Sequence, residues 1–138
     1  MRWRLGLCAL LACGIAWAQE PDPEASAIWK KVRADLFQDS VIAVDDGVIA
    51  IDAPARADDG AVVPIAIRAG FPQSETHSIE RIWLVIDNNP SPLAAVFTFT
   101  RASGRADIET RVRVEQYTHV RAIAATSDGK THMAVRYV

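Results

Sequence analysis

Cysteine is nearly missing from this chain. Both copies, Cys8 and Cys13, fall near the start, and nothing from Gly14 to Val138 carries a thiol. The body of the chain therefore has no disulfide scaffold, no thiolate metal site and no cysteine nucleophile. An excess of charge is missing too: 15 Lys and Arg stand against 17 Asp and Glu, a net charge of −2. That balance argues against a nucleic-acid binder working through bulk charge. Glycine and proline are sparse at 7 each, while half the residues are hydrophobic, which excludes a disordered chain. No Gly-rich phosphate loop, serine nucleophile elbow or His-Glu-x-x-His sequence occurs. With 138 residues, the chain has room for one domain.

The start has the layout of a secretory signal peptide. Arg2 and Arg4 precede an uncharged apolar run from Leu5 to Trp17, which ends in the small-x-small sequence Ala16-Trp17-Ala18. The run is short for a membrane span, which takes about 20 apolar residues. Cleavage is expected after Ala18, giving a signal peptide over 1–18 and a domain over 19–138 exported to the periplasm. Leu10-Leu11-Ala12-Cys13 also resembles a lipobox. The apolar run continues past Cys13 to the Ala-x-Ala site, which favours the soluble product over a lipoprotein. From Gln19 onward, 13 basic residues face 17 acidic ones.

The period of the hydrophobic pattern changes once. Ala25 to Phe37 places Ile28, Trp29, Val32, Leu36 and Phe37 at helical spacing, predicting a short amphipathic helix with Trp29 in the core. After Asp39 the period becomes two. Strands are expected over 48–53, 62–69, 78–87, 94–101, 106–116, 119–126 and 131–138. Turn signals at Asp46-Gly47, Asp59-Gly60, Asn88-Asn89-Pro90, Ser103-Gly104 and Asp128-Gly129 separate them. Ile82 to Ile86 is apolar on both faces, as in a central strand. The spacing predicts a mainly β fold: an immunoglobulin-like antiparallel β-sandwich of about seven strands, preceded by one short helix.

Candidate chemistry is thin. His77 falls in a polar loop, and His119 and His132 sit on separate strands, so a metal site would require tertiary convergence. Asp58-Asp59-Gly60 could coordinate calcium but reads first as a turn. Asp107, Glu109, Arg111, Arg113 and Glu115 alternate signs along one face and read as solvated. No catalytic, cofactor-binding or metal-binding residue is expected.

Several motifs taken in order are more specific. Ile51-Asp52-Ala53-Pro54-Ala55-Arg56-Ala57-Asp58-Asp59-Gly60-Ala61-Val62-Val63-Pro64 follows the helix. Leu84 to Pro92 contains Asp87-Asn88-Asn89-Pro90, then comes Ala95-Val96-Phe97-Thr98-Phe99. Thr110 to Val114 and Tyr117 to Ala122 complete the series. From Trp29 to Val138 the chain resembles the SoxY domain of sulfur-oxidation carrier proteins. It is most similar to the SoxYZ-like carriers associated with quinoprotein dehydrogenases. The resemblance implies a periplasmic, non-enzymatic carrier subunit in sulfur oxidation, without a cofactor. Its partners would be a SoxZ-like domain or subunit and a periplasmic quinoprotein dehydrogenase or sulfur-oxidising enzymes. In that family the sulfur cargo, as in thiosulfate oxidation, sits on the cysteine of a C-terminal Gly-Gly-Cys arm.

The sequence departs from the family there. It reaches Val138 inside the expected last strand, and the carrier cysteine would lie beyond that residue. A fragment of a fused carrier and a stand-alone domain without cargo chemistry are both compatible, the stop within a strand favouring the fragment. The alternative function is a non-catalytic interaction module supporting a dehydrogenase complex, and a generic immunoglobulin-like structural domain is a third. Met133, Val135 and Tyr137 line one face of the last strand and are expected to meet the partner domain.

Overall fold

A computed structural model of the protein describes residues 19–138. The expected signal peptide, its cleavage site, Cys8 and Cys13 fall outside the described residues. The chain begins with a 3-10 turn at Pro23–Ala25 and helix α1 at Ala27–Phe37. Eight strands follow: β1 Ile42–Val44, β2 Ile49–Asp52, β3 Val63–Ala69, β4 Ile79–Ile86, β5 Leu93–Thr98, β6 Ile108–Val112, β7 His119–Thr126 and β8 Thr131–Tyr137. They form a five-stranded sheet in the order β1-β8-β7-β4-β5 and a three-stranded sheet in the order β2-β3-β6. The architecture is the immunoglobulin-like sandwich that the spacing predicts, with one helix.

Local chemistry sets the boundaries. Ser26 caps α1, its hydroxyl accepting the Trp29 N–H at 3.1 Å. Gln38 ends the helix by turning to a positive φ of 51°. In β3, Val63, Ile65, Ile67 and Ala69 are buried while Pro64 and Arg68 are exposed, the alternation of a strand with one wet face. Gly70 follows because nothing larger fits: a Cβ there would lie 1.7 Å from the Gly47 carbonyl oxygen.

The five-stranded sheet is covered on both faces, which accounts for the unbroken apolar run in β4. Ile82, Leu84 and Ile86 face the three-stranded sheet in the main core. Val85 and Trp83 face the other way, into a second core with Trp29 and Phe37 of α1, Ile123 and Met133. Fully burying side chains of this size contributes about 1.5–3 kcal/mol each.

The structure differs from the sequence reading in three places. An eighth strand, β1, pairs parallel to β8 over three residues, so the sandwich is antiparallel except at that edge. The strand expected over 106–116 forms only as Ile108–Val112, because β3 offers it partners only from Val63 to Ile67. On α1, Ile28 and Leu36 stay 38% and 39% exposed. The helix lies on the sheet along a narrow stripe through Trp29 and Phe37, with Val32 half-buried beside it. No helix among the described residues is long and apolar enough to cross a membrane.

Candidate functional site

A charged residue stands where the pattern calls for an apolar one. Arg121, on the helix-facing side of β7, is fully buried, as is Asp87 just past β4. The guanidinium donates to both carboxylate oxygens, Nε to Oδ1 at 2.9 Å and Nη2 to Oδ2 at 2.8 Å. Nη2 also donates to the Pro23 carbonyl at 2.6 Å. The Trp29 ring lies over the guanidinium, 4.3 Å from its carbon. Planar, delocalised charge suits both the paired hydrogen bonds and the aromatic face. Close by, His119 Nε2 is 3.1 Å from the Pro21 carbonyl oxygen. The two strand residues thus tie residues 21–29 across the outer face of the five-stranded sheet.

That strap changes the standing of the residues expected at a partner interface. Met133, Val135 and Tyr137 do share a face, but the chain's own N-terminal segment covers it. Met133 is 2% exposed, packed with Trp29, Val85 and Ile123, and is not available to a partner. Val135 is half-buried against the same cluster. Tyr137 stacks on Tyr117 at 6.3 Å and tilts against His119 at 5.0 Å. Nor is β8 a free edge: β7 flanks it along its length and β1 pairs with it through Thr131–Met133. Sequence periodicity identified the face and missed the strap, which rests on contacts nearly a hundred residues apart in sequence.

The histidines have separate surroundings. His77 stacks on Phe71 at 3.9 Å. His132 places Nδ1 3.8 Å from Asp45, beyond hydrogen-bond reach. Among the described residues no group of three or more His, Cys, Asp or Glu could hold a metal ion. Asp59 Oδ1 accepts the Ala61 N–H at 2.8 Å, so the segment makes an Asx turn over Asp59-Gly60-Ala61. The charged face of β6 is exposed at Glu109 and Arg111. Arg68 pairs with Glu109, which raises the guanidinium further above its ordinary value. Burial pushes the Asp107 carboxyl up, yet the Ala69 N–H and the Arg105 guanidinium outweigh it and the net shift is downward. The Thr126 hydroxyl, donating at 2.5 Å, lowers Asp128.

Two surface depressions stand out. One, of about 480 Å³, lies on the outer face of the three-stranded sheet over Pro64 and Ala66, between Asp52 and Arg111. The other, of about 500 Å³, is an apolar groove where Ile28, Val32 and Leu36 of α1 meet Pro92 and Leu93. Neither brings a nucleophile to a base. Among the described residues no serine or threonine hydroxyl is hydrogen-bonded to a histidine ring.

Comparison with solved structures finds the same sandwich in superoxide reductases. The putative superoxide reductase of Thermotoga maritima is 16% identical, with a TM-score of 0.60 over 74% of this chain and 95% of that one. The neelaredoxin of Ignicoccus hospitalis is 17% identical, with a TM-score of 0.58 over 66% and 78%. The superoxide reductase of Nanoarchaeum equitans is 13% identical, with a TM-score of 0.59 over 71% and 100%. At these identities the likeness is one of fold alone. No curated protein matches the chain. The family model for the sulfur oxidation protein SoxY matches residues 33–138, from the middle of α1 through all eight strands. With more than half of its length so matched, the chain belongs to the SoxY family.

Proposed function

We propose that the chain is the carrier-protein domain of a periplasmic SoxY-type system. It is non-enzymatic and works beside a SoxZ-like domain in sulfur oxidation or in the metabolism around a quinoprotein dehydrogenase. The observation that carries this reading is the family match over 33–138, which takes in every strand of the sandwich. Proteins of the family are carrier subunits rather than catalysts and work with SoxZ partners. The sandwich supplies a rigid body, its two cores packed on either side of one sheet.

Residues 19–138 contain no thiol, so sulfur cannot be carried covalently as a cysteine adduct within them. That observation favours a second reading, in which this domain is an interaction module supporting a dehydrogenase complex. Co-expression with a SoxZ-type subunit, each with its export signal, tests the carrier reading. The expected result is a stable one-to-one complex recovered from the periplasmic fraction. Co-purification with a quinoprotein dehydrogenase, and no association with any SoxZ-type subunit, would replace the carrier reading with the second.

A further inference from the structure

Every edge of the two sheets but one is blunted. β1 is three residues long and flanked by Asp39, Asp45 and Asp46. β2 is four residues long and ends on Asp52, just before Pro54. β6 carries Glu109 and Arg111. Short length, charge and proline are what keep exposed edges from pairing with other chains. β5, six residues long, has no charge or proline inside it, although Pro92 directly precedes it. From Asn88 to Thr100 no residue is ionisable, and Leu93 to Thr98 contains no proline. β5 pairs only with β4, and its outward backbone groups have no other partner among the described residues. Val96 is 46% exposed on its outer face, opposite the half-buried Trp83.

We infer that β5 is a self-association edge, pairing antiparallel with β5 of a second copy of this chain. A two-fold axis sets identical strands against each other, so a charge on or next to the axis would meet its own kind. An edge whose neutrality extends across Asn88–Thr100 escapes that repulsion. The register follows from the strand's geometry. The β4–β5 ladder is irregular opposite Leu84/Val85, and beyond Thr98 the Phe99 N–H still bonds Glu80 at 2.9 Å. The regular stretch is therefore Ala95 to Phe99, centred on Phe97. The axis there sets Val96 opposite the second copy's Thr98, and Ala95 opposite its Phe99. Side chains directly opposite share a face, so both phenylalanines of each copy stay on the core side. The two five-stranded sheets become one continuous sheet, with a Trp83 and a Val96 from each copy on its outer floor.

Light scattering and hydrogen exchange on the purified full chain, across a dilution series, test the pairing. A dimer should form as concentration rises, with slowed exchange confined to the amides of Val96 and Thr98, which point away from β4. Val96→Lys places like charges beside the axis and should weaken dimerisation by at least about tenfold without lowering the melting temperature. Val62→Lys, at a site 50% exposed outside β5, should leave the dimer intact. The hydrogen-exchange footprint of the unmodified chain decides the matter even if the lysine variant folds poorly. A chain that stays monomeric throughout would overturn the inference, as would a dimer in which β5 remains unprotected. Protection of β5 only after a SoxZ-type subunit is added would overturn it too, assigning the edge to that partner.

Discussion

Arg121 and Asp87 form a fully buried, doubly hydrogen-bonded ion pair, and the same guanidinium holds the N-terminal strap through the Pro23 carbonyl. Removing one partner leaves the other charged and dry, which costs about 3–5 kcal/mol. Asp87→Ala should lower the unfolding free energy, measured by denaturant titration, by an amount in that range. Arg121→Met should release residues 21–25, seen as faster hydrogen exchange there. Because the residues act as a pair, Asp87→Ala combined with Arg121→Met should cost clearly less than the sum of the two single changes. Additive losses would show that the two do not interact.

Val135 supplies a contrast between interior and interface. Its side chain packs against the cluster of Trp29, Val85, Ile123 and Met133. Val135→Lys should therefore lower the melting temperature by the same amount at every protein concentration. Trp29→Ala, which empties the largest buried side chain of that cluster, should cost about 3–5 kcal/mol. If Val135→Lys left stability unchanged and altered only association, this face would be an interface after all.

The sequence and structure agree where periodicity governs and part where contact is distant. β7 falls at His119–Thr126, as alternation and turn signals place it. β1 escaped because three residues make too short a run to show a period, and its partner β8 lies about 90 residues on. Ile28 and Leu36 share the apolar spacing yet stay partly exposed, because helical spacing reports a face and not how much of it is covered. Arg121 was legible only as a charge within the otherwise apolar Val120 to Ala125. Asp87 read as part of a turn, and nothing local joins the two residues. The family resemblance was legible from motif order, whereas the strap over β8 was not.

Acid should weaken the fold through its carboxylates. Asp107 and Asp128 both have folded-state values below the ordinary 3.8. A depressed carboxylate contributes stability that is fully present above its unfolded value and is lost as pH falls through the folded one. The loss should thus set in below about pH 4 and deepen on further acidification. Asp107→Asn should flatten that part of the stability-versus-pH curve, measured by denaturant unfolding at successive pH values. An unchanged acid limb would show that Asp107 does not contribute to it.

The strap also bears on export. Pro21 is the first described residue whose backbone meets the sandwich, through its carbonyl and His119. A cut after Ala18 leaves Gln19 and Glu20, both exposed, ahead of that anchor, so a new N-terminus there keeps the Pro21 contact in place. N-terminal sequencing of exported protein should accordingly begin at Gln19. The same cut removes Cys8 and Cys13, the only thiols in the sequence given. Sulfur transfer to a carrier proceeds through a thiolate. Intact-mass measurement of the exported chain, after incubation with thiosulfate and sulfur-oxidising enzymes, should show no gain on residues 19–138. Lipid attached at Cys13 would refute the cleavage site. A reproducible sulfur-sized mass increase on the processed chain would show that cargo can be held without cysteine.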